Sequence, residues 1–131
     1  MVQLPAVWLP YGVHGVSTAE LIKDNTGGSF GPFAGQIFVG DQGQSNIMRV
    51  VLEKVKGEYQ GASIGFRSGF QSGVLRMVFD KDGSMFVGET NRGWGSAGDA
   101  NQGLQRLVWN GKMPFEMYTV KAMPDGFEID F

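Results

Sequence analysis

The sequence predicts an all-β fold made of two repeated four-stranded antiparallel units. Three observations carry this. Gly35-Gln36-Ile37-Phe38-Val39-Gly40-Asp41 returns as Gly83-Ser84-Met85-Phe86-Val87-Gly88-Glu89, with every position shifted by 48. Repetition at such a period marks stacked supersecondary units, because one small sheet cannot bury its own apolar face. The chain carries 21 Gly among many Phe, Val and Met, the composition of short strands joined by tight turns. Its apolar runs are short and bounded by turn residues.

In order, Ala6-Val7-Trp8-Leu9 reads as an extended leading strand between Pro5 and Pro10. Ser17 to Lys23 reads as one helical turn, with Ser17 or Thr18 as cap and Glu20 near its start. Asn25 to Pro32 is a Gly-rich loop. The first strand phrase, 36–40, follows. Ile47 to Val55 is a strand that Lys56-Gly57 turns into Glu58 to Ala62, a hairpin. Ile64 to Gly73 is a crossover loop and Val74 to Phe79 a strand. Asp80-Lys81-Asp82-Gly83 is a tight turn into the second strand phrase. Thr90 to Gly103 is a long polar loop. Leu104 to Trp109 is a strand, and Asn110-Gly111 predicts a hairpin into Phe115 to Ala122. Pro124-Asp125-Gly126 turns into Phe127 to Phe131, whose residues alternate in and out.

The first unit thus has strands at 6–9, 36–40, 47–55 and 58–62. The second has them at 74–79, 84–89, 104–109 and 115–122. Four antiparallel strands per unit is a β-propeller blade, so 6–62 and 74–122 read as two blades, with 126–131 opening a further one or closing the sheet. Closure needs at least about four blades. The chain therefore reads as part of a larger propeller or as the repeating piece of a homo-oligomer, since open sheets leave unpaired edges.

The totals set limits. At 131 residues there is room for one ordinary domain. A net charge of −2 with both signs scattered argues against nucleic-acid binding. With no Cys there is no disulfide, thiolate metal site or haem-attachment motif. No apolar run is long enough to span a bilayer, and the first residues show no signal peptide.

Propeller connectivity puts Asp41 to Asn46, Ile64 to Gly73, and Thr90 to Gly103 on one face. Within it, Asn91-Arg92-Gly93-Trp94 is the leading site candidate. Arg92 offers a planar donor fork, Trp94 a stacking face, and the glycines a close backbone approach. The bland alternative is a packing Trp and a surface Arg. Arg67, in the crossover, reaches toward the same face or glues blade to blade. Asp41 and Glu89 close the strand phrase at equivalent positions, as oxygen ligands for a cation or as acceptors for loop amides. Asp99, near Asn101 and Gln102, is a faint calcium cue. His14, the single histidine, is a candidate general base without a visible partner.

Several phrases also resemble the propeller of glucose/sorbosone dehydrogenase-like bacterial proteins. They are Phe30-Gly31-Pro32-Phe33-Ala34-Gly35, Met48-Arg49-Val50-Val51-Leu52-Glu53-Lys54-Val55, Asp82-Gly83-Ser84-Met85-Phe86-Val87-Gly88, Thr90-Asn91-Arg92-Gly93-Trp94-Gly95 and Asp125-Gly126-Phe127-Glu128. The nearest look-alikes are those labelled membrane-bound dehydrogenase with an attached c-type haem domain. The resemblance implies oxidation of a sugar C–OH by hydride transfer to pyrroloquinoline quinone (PQQ), with calcium assisting, in the periplasm or outside the cell. With two blades present it implies part of such a site; the loop candidates Arg67, Asn91, Arg92 and Trp94 are then the expected cofactor contacts and Asp41, Glu89 and Asp99 the expected metal ligands. The alternative is a non-catalytic propeller that binds carbohydrate or a protein partner.

Overall fold

The computed structural model describes residues 2–93 and 95–131. Among these the chain is all-β, with nine strands and no helix. Strands β1 (Thr18–Lys23), β2 (Ile37–Asp41), β3 (Asn46–Val55) and β4 (Glu58–Ser68) form one antiparallel sheet in sequence order. Strands β5 (Val74–Phe79), β6 (Met85–Thr90) and β7 (Gln102–Leu107) form a second, three-stranded sheet. Strands β8 (Thr119–Met123) and β9 (Gly126–Asp130) form a separate hairpin.

The repeat extends from sequence to register. In the first sheet Leu21 pairs with Val39 and Val39 with Met48; in the second Met77 pairs with Val87 and Val87 with Gln105. Ile22, Phe38 and Arg49 line up as Val78, Phe86 and Arg106 do. Thr18, Asp41 and Asn46 correspond to Val74, Glu89 and Gly103. Both first strands carry an irregularity near their start. The turn into the strand phrase is also shared. Asp24 N donates to Gln36 O as Asp80 N does to Ser84 O, and Gly35 N donates to Asp24 O as Gly83 N does to Asp80 O. Gly35 and Gly83 both sit at φ 84°, a conformation that favours glycine.

The expected hairpin at Lys56-Gly57 forms, with Val55 opposite Glu58 and both turn residues at positive φ, as a primed turn requires. Elsewhere the chain departs from expectation. Residues 18–23 are strand rather than helical turn, because pairing with β2 outweighs a short cap signal. Residues 6–9 belong to no strand. They lie as a strap whose Val7 and Leu9 pack on Val39, Met48 and Val50. Asn110-Gly111 makes no hairpin: Asn110 Oδ1 accepts from Lys112 N at 3.0 Å, and β7 has already ended. The fourth strand expected for the second unit pairs forward with β9 instead, across Pro124-Asp125.

The two sheets enclose one core. Phe38, Ile47 and Phe66 from the first meet Val74, Met77, Met85 and Val87 from the second. The β1–β2 connection adds Phe30 and Phe33, and the crossover adds Phe70. The rings meet mostly edge to face, with Phe38 and Phe66 centroids 4.8 Å apart and Phe30 and Phe79 5.2 Å apart. The sheets approach most closely at Gly40, where a Cβ would lie 2.6 Å from Val74 Cγ1. None of the sheets is closed. Among the described residues no helix is long and apolar enough to cross a membrane.

Candidate functional site

Three loops converge at one end of the two sheets: 42–45 between β2 and β3, 69–73 between the sheets, and 91–101 between β6 and β7. Backbone and short side chains knit them together. Ala97 N donates to Gly43 O at 3.0 Å, and Ser45 Oγ donates to Ala97 O at 2.5 Å. Ala100 N donates to Gln71 O at 3.1 Å, and Gln42 Nε2 donates to Thr90 O at 3.1 Å. Gly98, at φ 96°, lies so close to Gln71 that a Cβ would fall 2.3 Å from its carbonyl oxygen. The three form an open cleft of about 450 Å³, with Gln44, Ser45, Gln71 and Asp99 on its walls. Loops fixed this way present polar groups from a rigid frame.

The strand-end acids anchor this frame. Asp41 Oδ1 accepts from the amides of Val16 and Ser17 at 2.8 and 2.7 Å, and Oδ2 from the amide of Gln44 at 2.7 Å. Glu89 Oε2 accepts from the Ser72 amide at 2.8 Å. Each acid thus fastens the segment that leads into the first strand of its own sheet. The residue after it repeats the motif in backbone: Gln42 N donates to Ser17 O and Thr90 N to Gly73 O, both at 2.8 Å. Asp41 has donors facing both its oxygens, an arrangement that repels a cation. Asp99 is exposed. Among the described residues no three His, Asp or Glu side chains gather, so Asp41, Glu89 and Asp99 do not share one donor set. A calcium ion, which the resemblance implies, would meet Asp41 oxygens already engaged by loop amides.

Glu89 differs from Asp41 in one respect. Its Oε1 is buried without a partner, and burial raises its carboxyl above the ordinary value, against the Ser72 and Gln71 amides that lower it. A raised value in the folded state means that the protonated form favours folding. That contribution is complete below the ordinary value of 4.5 and is lost as pH rises through the folded value. Glu89→Gln keeps an acceptor for Ser72 and removes the ionisation. It should raise the melting temperature at pH 7, leave it near wild type in acid, and flatten the profile between. Thermal unfolding of both proteins against pH checks this.

The other site candidates are dispersed. Asn91 is held on Asn101, Nδ2 to Oδ1 at 3.1 Å and N to O at 3.0 Å. The amide of Arg92 donates to Thr90 Oγ1 at 3.0 Å and its side chain is exposed. Trp94 lies outside the described residues. Arg67 lies over Phe66, 4.4 Å from guanidinium carbon to ring centre, and donates to Phe66 O at 2.6 Å. It lines a different cleft, of about 360 Å³, with Phe33, Phe66, Trp109 and Lys112. His14 Nδ1 shares a hydrogen bond of 2.6 Å with Ser63 Oγ on β4, and Ser63 Oγ also donates to Trp8 O at 3.3 Å.

The residue that sequence reasoning passed over is Arg49. Its guanidinium is wholly buried and donates to Gln36 Oε1 at 2.6 Å, Tyr118 O at 2.9 Å and Met117 O at 2.5 Å. Glu116 stands 3.7 Å away, and the Phe33 ring centre 4.9 Å. Burial lowers its pKa, while Glu116 and Tyr118 raise it. Its signal was the repeat itself. Arg106 holds the matching position and binds Asp82 and Ser84.

Compared with family models, curated proteins and solved structures, the chain finds no match.

Proposed function

We propose that the chain forms two blades of a β-propeller related to the glucose/sorbosone dehydrogenase-like proteins, and that its converged loops are its share of a ligand site for a quinone or a sugar. The observation that carries this is the fastening of loops 42–45, 69–73 and 91–101 into one cleft, with Asn91 and Arg92 on the same long loop. Arg92 supplies a donor fork for carboxylate or hydroxyl oxygens, and Asn91 is pre-oriented by Asn101. PQQ, when bound, would accept a hydride from the sugar; this chain's part is to hold and orient. Asp99 is the one acid among the residues described as lining the cleft, and its side chain is exposed.

A second reading has its own support. Both strand-end acids are engaged by backbone amides, and His14 is engaged by Ser63. A chain with that much of its acid–base chemistry tied down suits a binding module for carbohydrate as well as an enzyme.

Titration with PQQ, followed by absorbance and by calorimetry, separates them. On the first reading the quinone binds, and Arg92→Ala weakens it by at least about tenfold, the equivalent of one charge-assisted hydrogen bond. Retention on immobilised glycans without quinone binding supports the second. Binding of neither, in a folded protein, overturns both.

A further inference from the structure

The two sheets pack head to tail, and among the described residues one packing face is left without a mate. The face of the first sheet that carries Phe38, Gly40 and Ile47 is covered by Val74, Met77, Met85 and Val87 of the second. By register, its counterpart on the second sheet carries Phe86, Gly88 and Leu104, with Val78 in place of Ile22. Ile47 is 1% exposed and Leu104 71%; Val78 is 61% exposed. The same recipe is therefore buried in one sheet and largely exposed in the other, where Phe86 is half-buried beneath the Arg106 guanidinium, 5.5 Å from its ring centre. At Gly40 the missing side chain admits Val74; at Gly88 it leaves a shallow groove walled by Leu75, Arg76 and Leu104.

The complementary surface is also on the chain. Register matches Val74 to Thr18 and Met77 to Leu21. Thr18 has the branched shape of Val74. Both Thr18 and Leu21 are exposed, Leu21 at 63%. The rest of that face, Val39, Met48 and Val50, lies beneath the strap residues Val7 and Leu9.

We propose that the exposed face of the second sheet binds the first sheet of a second copy of this chain, with Thr18 seated at Gly88 and Leu21 beside Val78, as Val74 and Met77 sit on the first sheet. The contact uses two different surfaces, so each copy keeps one of each and association is head to tail. The strap residues Val7 and Leu9 stay on Val39, Met48 and Val50, so the contact is made at the exposed β1 side of that face. The inference rests on the register of the repeat and is independent of the ligand at the loops.

The test is light scattering behind size exclusion, over a range of concentrations. Wild type should exceed monomer mass, as a ring or a concentration-dependent series. Val78→Lys with Leu104→Lys removes the socket, and Leu21→Lys removes the knob. Each should run as a monomer with unchanged circular dichroism, since these side chains are exposed. An equal mixture of the two variants restores one socket and one knob, and should give a dimer and nothing larger. A monomeric wild type at hundreds of micromolar overturns the proposal. So does a mixture that stays monomeric, or an oligomer indifferent to the substitutions.

Discussion

Replacing Phe38 with Ala is expected to destabilise the fold by about 3–5 kcal/mol, the loss that follows deletion of a buried aromatic ring with partial collapse around it. Phe38 is fully buried, and its ring lies 4.8 to 6.3 Å from those of Phe66, Phe30, Phe33 and Phe79. These rings come from both sheets and from the β1–β2 connection, so the cavity would open where all three meet. Phe86 supplies the control, having the same residue type and the same place in the register. It lies on the half-buried outer face, and Phe86→Ala should cost less than about 2 kcal/mol, the transfer free energy of a partly buried ring. Urea unfolding at dilutions where the chain is monomeric measures both. Equal losses would mean that the two sheets do not pack with the asymmetry described.

Arg49→Met should cost a comparable amount, about 3–5 kcal/mol, because it strands partners rather than emptying space. Met fills most of the volume but donates nothing. The Met117 carbonyl and the Gln36 amide oxygen would lose the Arg49 donor, the Tyr118 carbonyl would keep only Gln36 Nε2, and the Glu116 carboxylate would lose its cation. Arg49→Lys would recover only part of this, since one ammonium cannot serve acceptors spread around a planar fork. The loss should fall first on the last third of the chain. Segment 116–118 leads into β8, which lies against β3 and β4. Limited proteolysis should therefore cut the variant at Lys112 and Lys121 faster than wild type, while cleavage within 40–60 stays slow. A variant of lowered stability with unchanged cleavage order would show that Arg49 supports the core as a whole and not this segment.

The parts legible in the sequence were those fixed by local chemistry. The strand phrase announced β2 and β6, because alternating apolar residues bounded by Gly admit little else. Lys56-Gly57 announced its hairpin through turn geometry. The repeated acids were readable as strand-end anchors or ligands, and the amides of Val16, Ser17 and Ser72 show the anchoring use. The misreadings arose where distant partners decide. Ser17 to Lys23 has a plausible cap and helix-compatible residues, yet β2 offers it strand partners at Thr18 and at Leu21 to Lys23. Asn110-Gly111 carries a strong turn signal, but Trp109 packs against Gly31, 3.3 Å from where a Cβ would stand, and draws the chain off the sheet. Arg49 looks like an ordinary polar strand residue until the chain 68 and 69 positions later supplies two of its acceptors. Arg67 and Arg92 sat together in the expected topology, whereas Arg67 lines the cleft beside Phe33 and Trp109 and the Arg92 side chain is exposed on the long loop.

The β1–β2 connection spans 24–36, whereas its counterpart in the second unit spans only 80–84. The longer one carries Phe30 and Phe33 and lays Ser29 over Gly83. Two sequence units with matching registers could otherwise exchange places while the chain folds, the second sheet settling where the first belongs. Only one ordering puts the aromatic plug inside. A difference in loop length thus acts as a key that helps to distinguish two units sharing one register.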